Sequence, residues 1–192
     1  PVTGDLYVTG RGVNGTNYDW SVIKYRGVDG AKMWTKLYAG LNSFDDSGVD
    51  ISYVSSGVVY VTGNSKSIVS GITNPSIVLR KLNSSDGSQL WAKTYTGITA
   101  TGSVTPLGAT ASSTVVTPSE NIYVLGTTAV QTPSYIQSNH LVLKYTSSGS
   151  SSWKDLHAAG TSSGFQFFPA TKGIYDQTFQ SLYVAGKKNI SM

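Results

Sequence analysis

Short apolar runs that stop at glycine punctuate the chain. The first is Asp5-Leu6-Tyr7-Val8-Thr9-Gly10. It returns as Val58-Val59-Tyr60-Val61-Thr62-Gly63, as Asn121-Ile122-Tyr123-Val124-Leu125-Gly126 and as Ser181-Leu182-Tyr183-Val184-Ala185-Gly186. The central tyrosines lie 53, 63 and 60 residues apart. Recurrence at a near-fixed period makes each interval one supersecondary unit. Each unit then carries a pair of strand-like runs joined by a tight turn. The clearest is Ile77–Leu82 and Gln89–Tyr95 about Asp86-Gly87, where glycine accepts the positive φ of a hairpin turn. The same pair recurs in Val22–Gly40, with Asp29-Gly30, and in Val142–Gly160, with Ser148-Gly149. In all three a tryptophan (Trp34, Trp91, Trp153) follows the turn glycine by four positions, and Lys24, Lys81 or Lys144 closes the preceding run.

A further short strand precedes three of the tyrosine runs: Val49–Tyr53, Ser113–Thr117 and Ala170–Tyr175. A unit therefore has four strands, here called the opening, Tyr, Lys and Trp strands. Four short antiparallel strands joined by turns cannot bury both faces of their sheet alone. Radial stacking of such sheets is the β-propeller solution. Continuous apolar pairs such as Val22-Ile23 and Val142-Leu143 suit strands covered on both faces. Nothing shows apolar spacing of helical period over ten residues. The expectation is an all-β chain with approximate blades at 1–40, 48–97, 112–160 and 170–192, the last incomplete.

The order Tyr-Val-x-Gly, Lys strand, Asp-Gly, Leu-Trp, Thr-Tyr-x-Gly resembles the bacterial β-propeller repeat family usually called SBBP. Tyr38-Ala39-Gly40 and Tyr95-Thr96-Gly97 match the family's Trp-strand ending. The third unit departs, with His157-Ala158-Ala159-Gly160 and Ser148-Gly149 in the corresponding places. A more distant resemblance is to quinoprotein-type propellers, whose blades also carry Asp-Gly-x-x-x-Trp. The SBBP resemblance implies a propeller of surface or secreted proteins.

Composition changes this picture little. Charged residues make up 12% of the 192 residues, and Cys is absent. Low Glu and Lys with abundant Ser and Thr lean toward a cell surface or the exterior. Net charge is +4, but no five-residue window is rich in Lys or Arg. That spread suits a mildly basic surface and argues against a nucleic-acid partner. No apolar run approaches the ~20 residues of a membrane-spanning helix. The chain opens at Pro1 without a signal peptide, which reads as a mature or excised segment.

Candidate chemistry is sparse. Identical placement of Trp34, Trp91 and Trp153 in every unit points to packing between blades, as does that of Tyr7, Tyr60, Tyr123 and Tyr183. Trp20 stands outside the pattern and is the better binding candidate. Asp45, Asp46 and Asp50 form the one acidic cluster, in reach of Ca²⁺ through hard oxygens. Their spacing is not that of an EF-type loop, and backbone hydrogen bonding at a crossover is the competing role. His140 and His157, the two histidines, show no metal spacing. Asp155 and Glu120 are the carboxylates a glycosidase would need, but nothing in the sequence pairs them.

Connections carry more information. The turns between opening and Tyr strands, and between Lys and Trp strands, are short. Those between Tyr and Lys strands read as long loops: Arg11–Tyr18, Asn64–Asn74 and Thr127–Asn139. So do those between units: Ala39–Ser47, Gly97–Ser112 and Ala158–Pro169. Both sets emerge on one face, where binding would reside. Tyr18, Tyr135, Phe44, Phe165 and Phe167 lie there. The leading expectation is a non-catalytic extracellular or surface propeller segment, a scaffold or protein-binding module, with no cofactor. A carbohydrate-binding module using Tyr18, Trp20, Tyr135, Phe165 and Phe167 is the alternative, and a quinoprotein-like or hydrolytic enzyme the third. The partner would be a protein or glycan on the long-loop face. The strand count of three, four, four and two leaves open edges, so a larger propeller, completed by more chain or another copy, is expected.

Overall fold

The computed structural model describes residues 4–15, 17–40, 44–54, 57–69, 71–98, 102–162 and 170–186. They form thirteen strands, and there is no helix among the described residues. The first sheet holds β1 (Leu6–Asn14), β2 (Asn17–Tyr25) and β3 (Lys32–Tyr38). The second holds β4 (Ser47–Val54), β5 (Val58–Val69), β6 (Ile72–Asn83) and β7 (Gln89–Tyr95). The third holds β8 (Thr105–Val116), β9 (Ile122–Gln131), β10 (Ile136–Tyr145) and β11 (Ser151–Ser162). The fourth is the pair β12 (Ala170–Asp176) and β13 (Ser181–Gly186). Every neighbouring pair is antiparallel and in chain order, so each sheet is a simple meander of three, four, four and two strands. Closure of these sheets into a ring is not part of the observed structure.

Sheets pack face to face in sequence. β1 and β2 meet β4, β8 meets β4, β5 and β6, and β12 meets β8 and β9. The first interface buries Trp20, Val22, Val59, Val61, Val78 and Leu82, with Tyr7, Trp34, Tyr38, Ile51 and Tyr53 at its margin. The second buries Tyr60, Ile77, Leu79, Ala109, Ala111, Ile122, Val124, Leu141, Leu143 and Tyr145. The alternation that predicts strands thus serves two interfaces at once. Along β5, Val59 and Val61 face the first sheet and Tyr60 faces the third.

The long loops between Tyr and Lys strands are a correction. They are not loops. β1 and β2 stay paired out to Asn14 opposite Asn17, β5 and β6 to Val69 opposite Ile72, and β9 and β10 to Gln131 opposite Ile136. Between units, β8 begins at Thr105, so the second half of the Gly97–Ser112 stretch is likewise strand. These arms are rich in Ser, Thr, Asn and Gly, which reads as turn. They pair because each half satisfies the other's backbone, with no apolar alternation needed. The short turns are as expected, at 26–31, 84–88 and 146–150 on one side of each sheet pair.

Candidate functional site

Each of the first three sheets carries the same three-residue constellation. Its tyrosine and tryptophan rings lie 6.0 Å apart for Tyr7 and Trp34, 5.9 Å for Tyr60 and Trp91, and 6.0 Å for Tyr123 and Trp153. Their planes are tilted by 54°, 51° and 55°. The lysine ammonium sits over the tyrosine ring at 5.4 Å (Lys24), 5.3 Å (Lys81) and 5.5 Å (Lys144). Such cation–π contacts contribute about 0.5–1 kcal/mol each when partly exposed. Register explains the grouping. Lys24 is the Cα partner of both Tyr7 and Trp34, and Lys81 and Lys144 hold the same places on β6 and β10.

The constellation grips the next sheet. Lys24 Nζ and Trp34 Nε1 both donate to the carbonyl of Ser84, at 3.1 and 3.3 Å. Lys81 Nζ and Trp91 Nε1 both donate to the carbonyl of Ser147, each at 3.1 Å. Ser84 and Ser147 occupy corresponding turns between Lys and Trp strands. The turn glycine fits beneath the ring. A Cβ at Gly87 would lie 2.9 Å from Trp34 Cε3, and one at Gly149 would lie 3.1 Å from Trp91 Cδ2. Glycine is required there twice, for the positive φ of 71° and 80° and for the close approach.

Carboxylates complete the lock. Lys24 Nζ pairs with Asp5 at 3.0 Å and Lys81 Nζ with Glu120 at 3.2 Å. Burial opposes the charge on Lys24, but hydrogen bonding to Asp5 and Tyr7 and their negative potential outweigh it, holding its pKa above the ordinary value. Tyr60 donates to Glu120 at 2.7 Å. Burial first, and that bond to a carboxylate second, push its hydroxyl pKa well up.

The third copy is open at its tryptophan. Trp153 is 43% exposed, whereas Trp34 and Trp91 are half-buried. Beside it on the same face lie Val142, His140, Asp155 and His157. In the first sheet these places hold Val22, Trp20, Lys36 and Tyr38, and in the second Leu79, Ile77, Lys93 and Tyr95. The two histidines are direct cross-strand partners with ring centroids 6.4 Å apart.

Trp20 is the principal correction to the sequence reading. It is 1% exposed, donates from Nε1 to Thr9 Oγ1 at 2.8 Å and meets Tyr38 edge-on at 6.0 Å. Arg80 of the next sheet covers it at 5.1 Å. A Cβ at Gly48 would collide with this indole, so the interface closes tightly on it. Trp20 belongs to the core because it holds the place of Ile77 and His140, four residues before each lysine. That offset was legible in the sequence. Tyr18 and Tyr135 are each 40% exposed, with Arg11 over Tyr18 at 4.7 Å. Tyr18 lies within β2 and Tyr135 in the β9–β10 turn, so neither sits on a long loop. Phe44 is covered by Lys66 at 4.9 Å. Phe165 and Phe167 lie outside the described residues.

The acidic cluster is dispersed. Asp45 accepts from Tyr18 N at 3.1 Å, and Asp46 from Gly40 N. Asp50 accepts from Ser113 Oγ at 3.1 Å and Thr114 N at 2.7 Å, which ties β4 to β8. The carboxylates therefore serve backbone and crossover, and no three His, Cys, Asp or Glu gather as a metal site among the described residues. Glu120 is taken up by Tyr60 and Lys81, while Asp155 stands exposed on β11 opposite Val142. A cleft of about 420 Å³ runs beside the turns that carry Val54, Thr117 and Gln177. A smaller one of about 230 Å³ holds Lys66, Arg80 and three serines.

No family model matches this chain, and no curated protein matches it either.

Proposed function

We propose that this chain is a stretch of β-propeller that serves as a non-catalytic scaffold or protein-binding module at a cell surface or outside the cell. The observation that carries the reading is the Lys–Trp grip on the following turn, closed twice with the same atoms. The repeated residues are consumed in joining one sheet to the next, which is scaffold work. The hairpin arms offer the binding surface. Val13 is 69% exposed on the first arm, and Ile68 and Ile72 are 49% and 42% exposed on the second. Apolar residues displayed at the ends of paired arms suit a protein partner.

In this reading the free edges of β1 and β13 are filled by further strands, because unpaired edges left open recruit other chains. Native mass spectrometry of the material from its source tests it, together with a glycan array. The reading expects an assembly well above 20.3 kDa and no saturable glycan binding. A well-folded monomer of 20.3 kDa, or saturable binding of one glycan class, overturns it.

A further inference from the structure

We propose that the face formed by Tyr123, Lys144 and Trp153 is a docking site for a two-stranded β-hairpin. The hairpin adds along the free edge of β13, and a carbonyl of its turn accepts from Lys144 Nζ and Trp153 Nε1. This rests on the scaffold reading above and names the partner of one of its surfaces.

Three observations carry it. First, the tyrosine, lysine and tryptophan hold the geometry of the two closed locks, with the ring distance of 6.0 Å and tilt of 55° matching within 0.1 Å and 4°. Among the described residues neither Lys144 Nζ nor Trp153 Nε1 has a hydrogen-bond acceptor. A preformed pair of donors is thus aimed where Ser84 and Ser147 sit in the other two copies. Second, half of the position is already filled. β12 packs on β8 and β9, and a Cβ at Gly173 would touch Leu125 and Val115. Among the described residues β13 pairs with β12 alone. The uncovered half is the half that β6–β7 covers on the first sheet and β10–β11 on the second. Third, the charge is complementary. At the closed interfaces a cation of the arriving sheet meets the end of this face, Arg80 over Tyr38 at 4.3 Å and Lys154 over Tyr95 at 5.8 Å. On the open face His157 holds the place of Tyr38 and Tyr95, and exposed Asp155, two residues before it, puts a negative charge where the closed faces have Lys36 and Lys93.

The chemistry of the occupant follows. It presents an extended edge to β13. Its turn has a glycine of positive φ, since any Cβ would strike the indole, and a free carbonyl two or three residues before that glycine. It carries Arg or Lys toward Asp155. A second copy of this chain is a poorer fit. Its turn at Arg26–Gly30 is exposed, but β2 already carries β1 on the edge that β13 would need.

The test uses the 192-residue protein, labelled with ¹⁵N at the tryptophan indoles. The probe is a peptide of residues 77–95 closed head to tail through D-Pro-Gly, because Ile77 and Tyr95 are cross-strand partners. Saturable binding is expected, with the Trp153 indole N–H moving downfield and those of Trp34 and Trp91 unmoved. Lys144→Met should weaken binding about ten-fold or more, the effect of one lost charge-assisted hydrogen bond. The peptide with residues 84–87 replaced by a two-residue D-Pro-Gly turn should weaken it similarly on the unaltered protein. No saturable shift, or affinity indifferent to both changes, overturns the proposal. So does concentration-dependent dimerisation that Trp153→Ala abolishes, because the occupant is then a second copy. A large native assembly combined with failed peptide binding would leave the scaffold reading intact and remove this inference alone.

Discussion

The indole Nε1 of Trp91 donates a hydrogen bond of 3.1 Å to the carbonyl oxygen of Ser147, 56 residues further along the chain and one sheet away. Trp34 makes the same bond to Ser84, and Trp153 makes none of this kind among the described residues. One residue type at one offset from one glycine therefore occupies two different energetic situations. Half-buried Trp91 loses packing and a hydrogen bond on truncation, so Trp91→Ala should cost about 2–3 kcal/mol. Trp153→Ala removes an exposed ring and should cost less than about 1 kcal/mol. Urea unfolding followed by circular dichroism measures both, and equal losses would contradict the difference.

The turn glycines divide in the same way. Gly30 and Gly87 both have φ of 71°, which costs an L-residue roughly 1 kcal/mol or somewhat more. Gly30 has open space around its missing Cβ, whereas at Gly87 the Cβ would press on Trp34 and Lys36. Gly30→Ala should lose about 1 kcal/mol and Gly87→Ala at least about 1 kcal/mol more. The shift in denaturation midpoint reports each.

Alkaline pH should unfold this protein early. Burial raises the hydroxyl pKa of Tyr38, Tyr60, Tyr95 and Tyr145, with Tyr95 pushed up to about 12. A group whose folded pKa lies above its unfolded value holds its proton more tightly when folded. Its contribution is complete below the unfolded value near 10 and is lost as pH rises toward the folded value. Lys24, also raised, acts in the same direction. The melting temperature should be level to about pH 9.5 and fall steeply between about 10 and 12. Tyr95 adds a second handle, because its hydroxyl is buried with no hydrogen-bond partner among the described residues. Tyr95→Phe should leave stability unchanged or raise it by up to about 1 kcal/mol at neutral pH, and should soften the alkaline fall.

Asp50 should matter through hydrogen bonds. Asp50→Ala leaves Ser113 Oγ and Thr114 N unsatisfied between β4 and β8, at a cost of about 2 kcal/mol. Since Asp45, Asp46 and Asp50 serve separate partners, millimolar Ca²⁺ should leave the melting temperature unchanged. A rise of several degrees would show that the three act together.

Sheet membership was legible in the sequence because it rests on alternation. Tyr60 between Val59 and Val61, or Lys144 after Leu143, fixes which side faces which neighbour. The strand lengths were not legible. Asn64-Ser65-Lys66-Ser67 has the composition of a loop, yet it is held straight by pairing with Asn74–Ile77, a non-local fact. Trp20 falls outside the repeat when the units are aligned by residue identity and inside it when they are aligned by offset from the lysine. Trp20, Ile77 and His140 share a position but not a chemistry, and position decides burial until the third copy, where the cover is only partial. The difference between Trp91 and Trp153 was also out of reach, since it depends on which turn arrives from the next sheet.

Hydrogen exchange at the four indole N–H groups, read by ¹⁵N-resolved NMR, tests most directly the claim that each sheet grips the next through its tryptophan. Trp20, Trp34 and Trp91 should exchange slowly, because each N–H is bonded at an interface that must open first. Trp153 should exchange at close to the rate of a free indole. Equal exchange for Trp34, Trp91 and Trp153, whether all fast or all slow, would contradict the account.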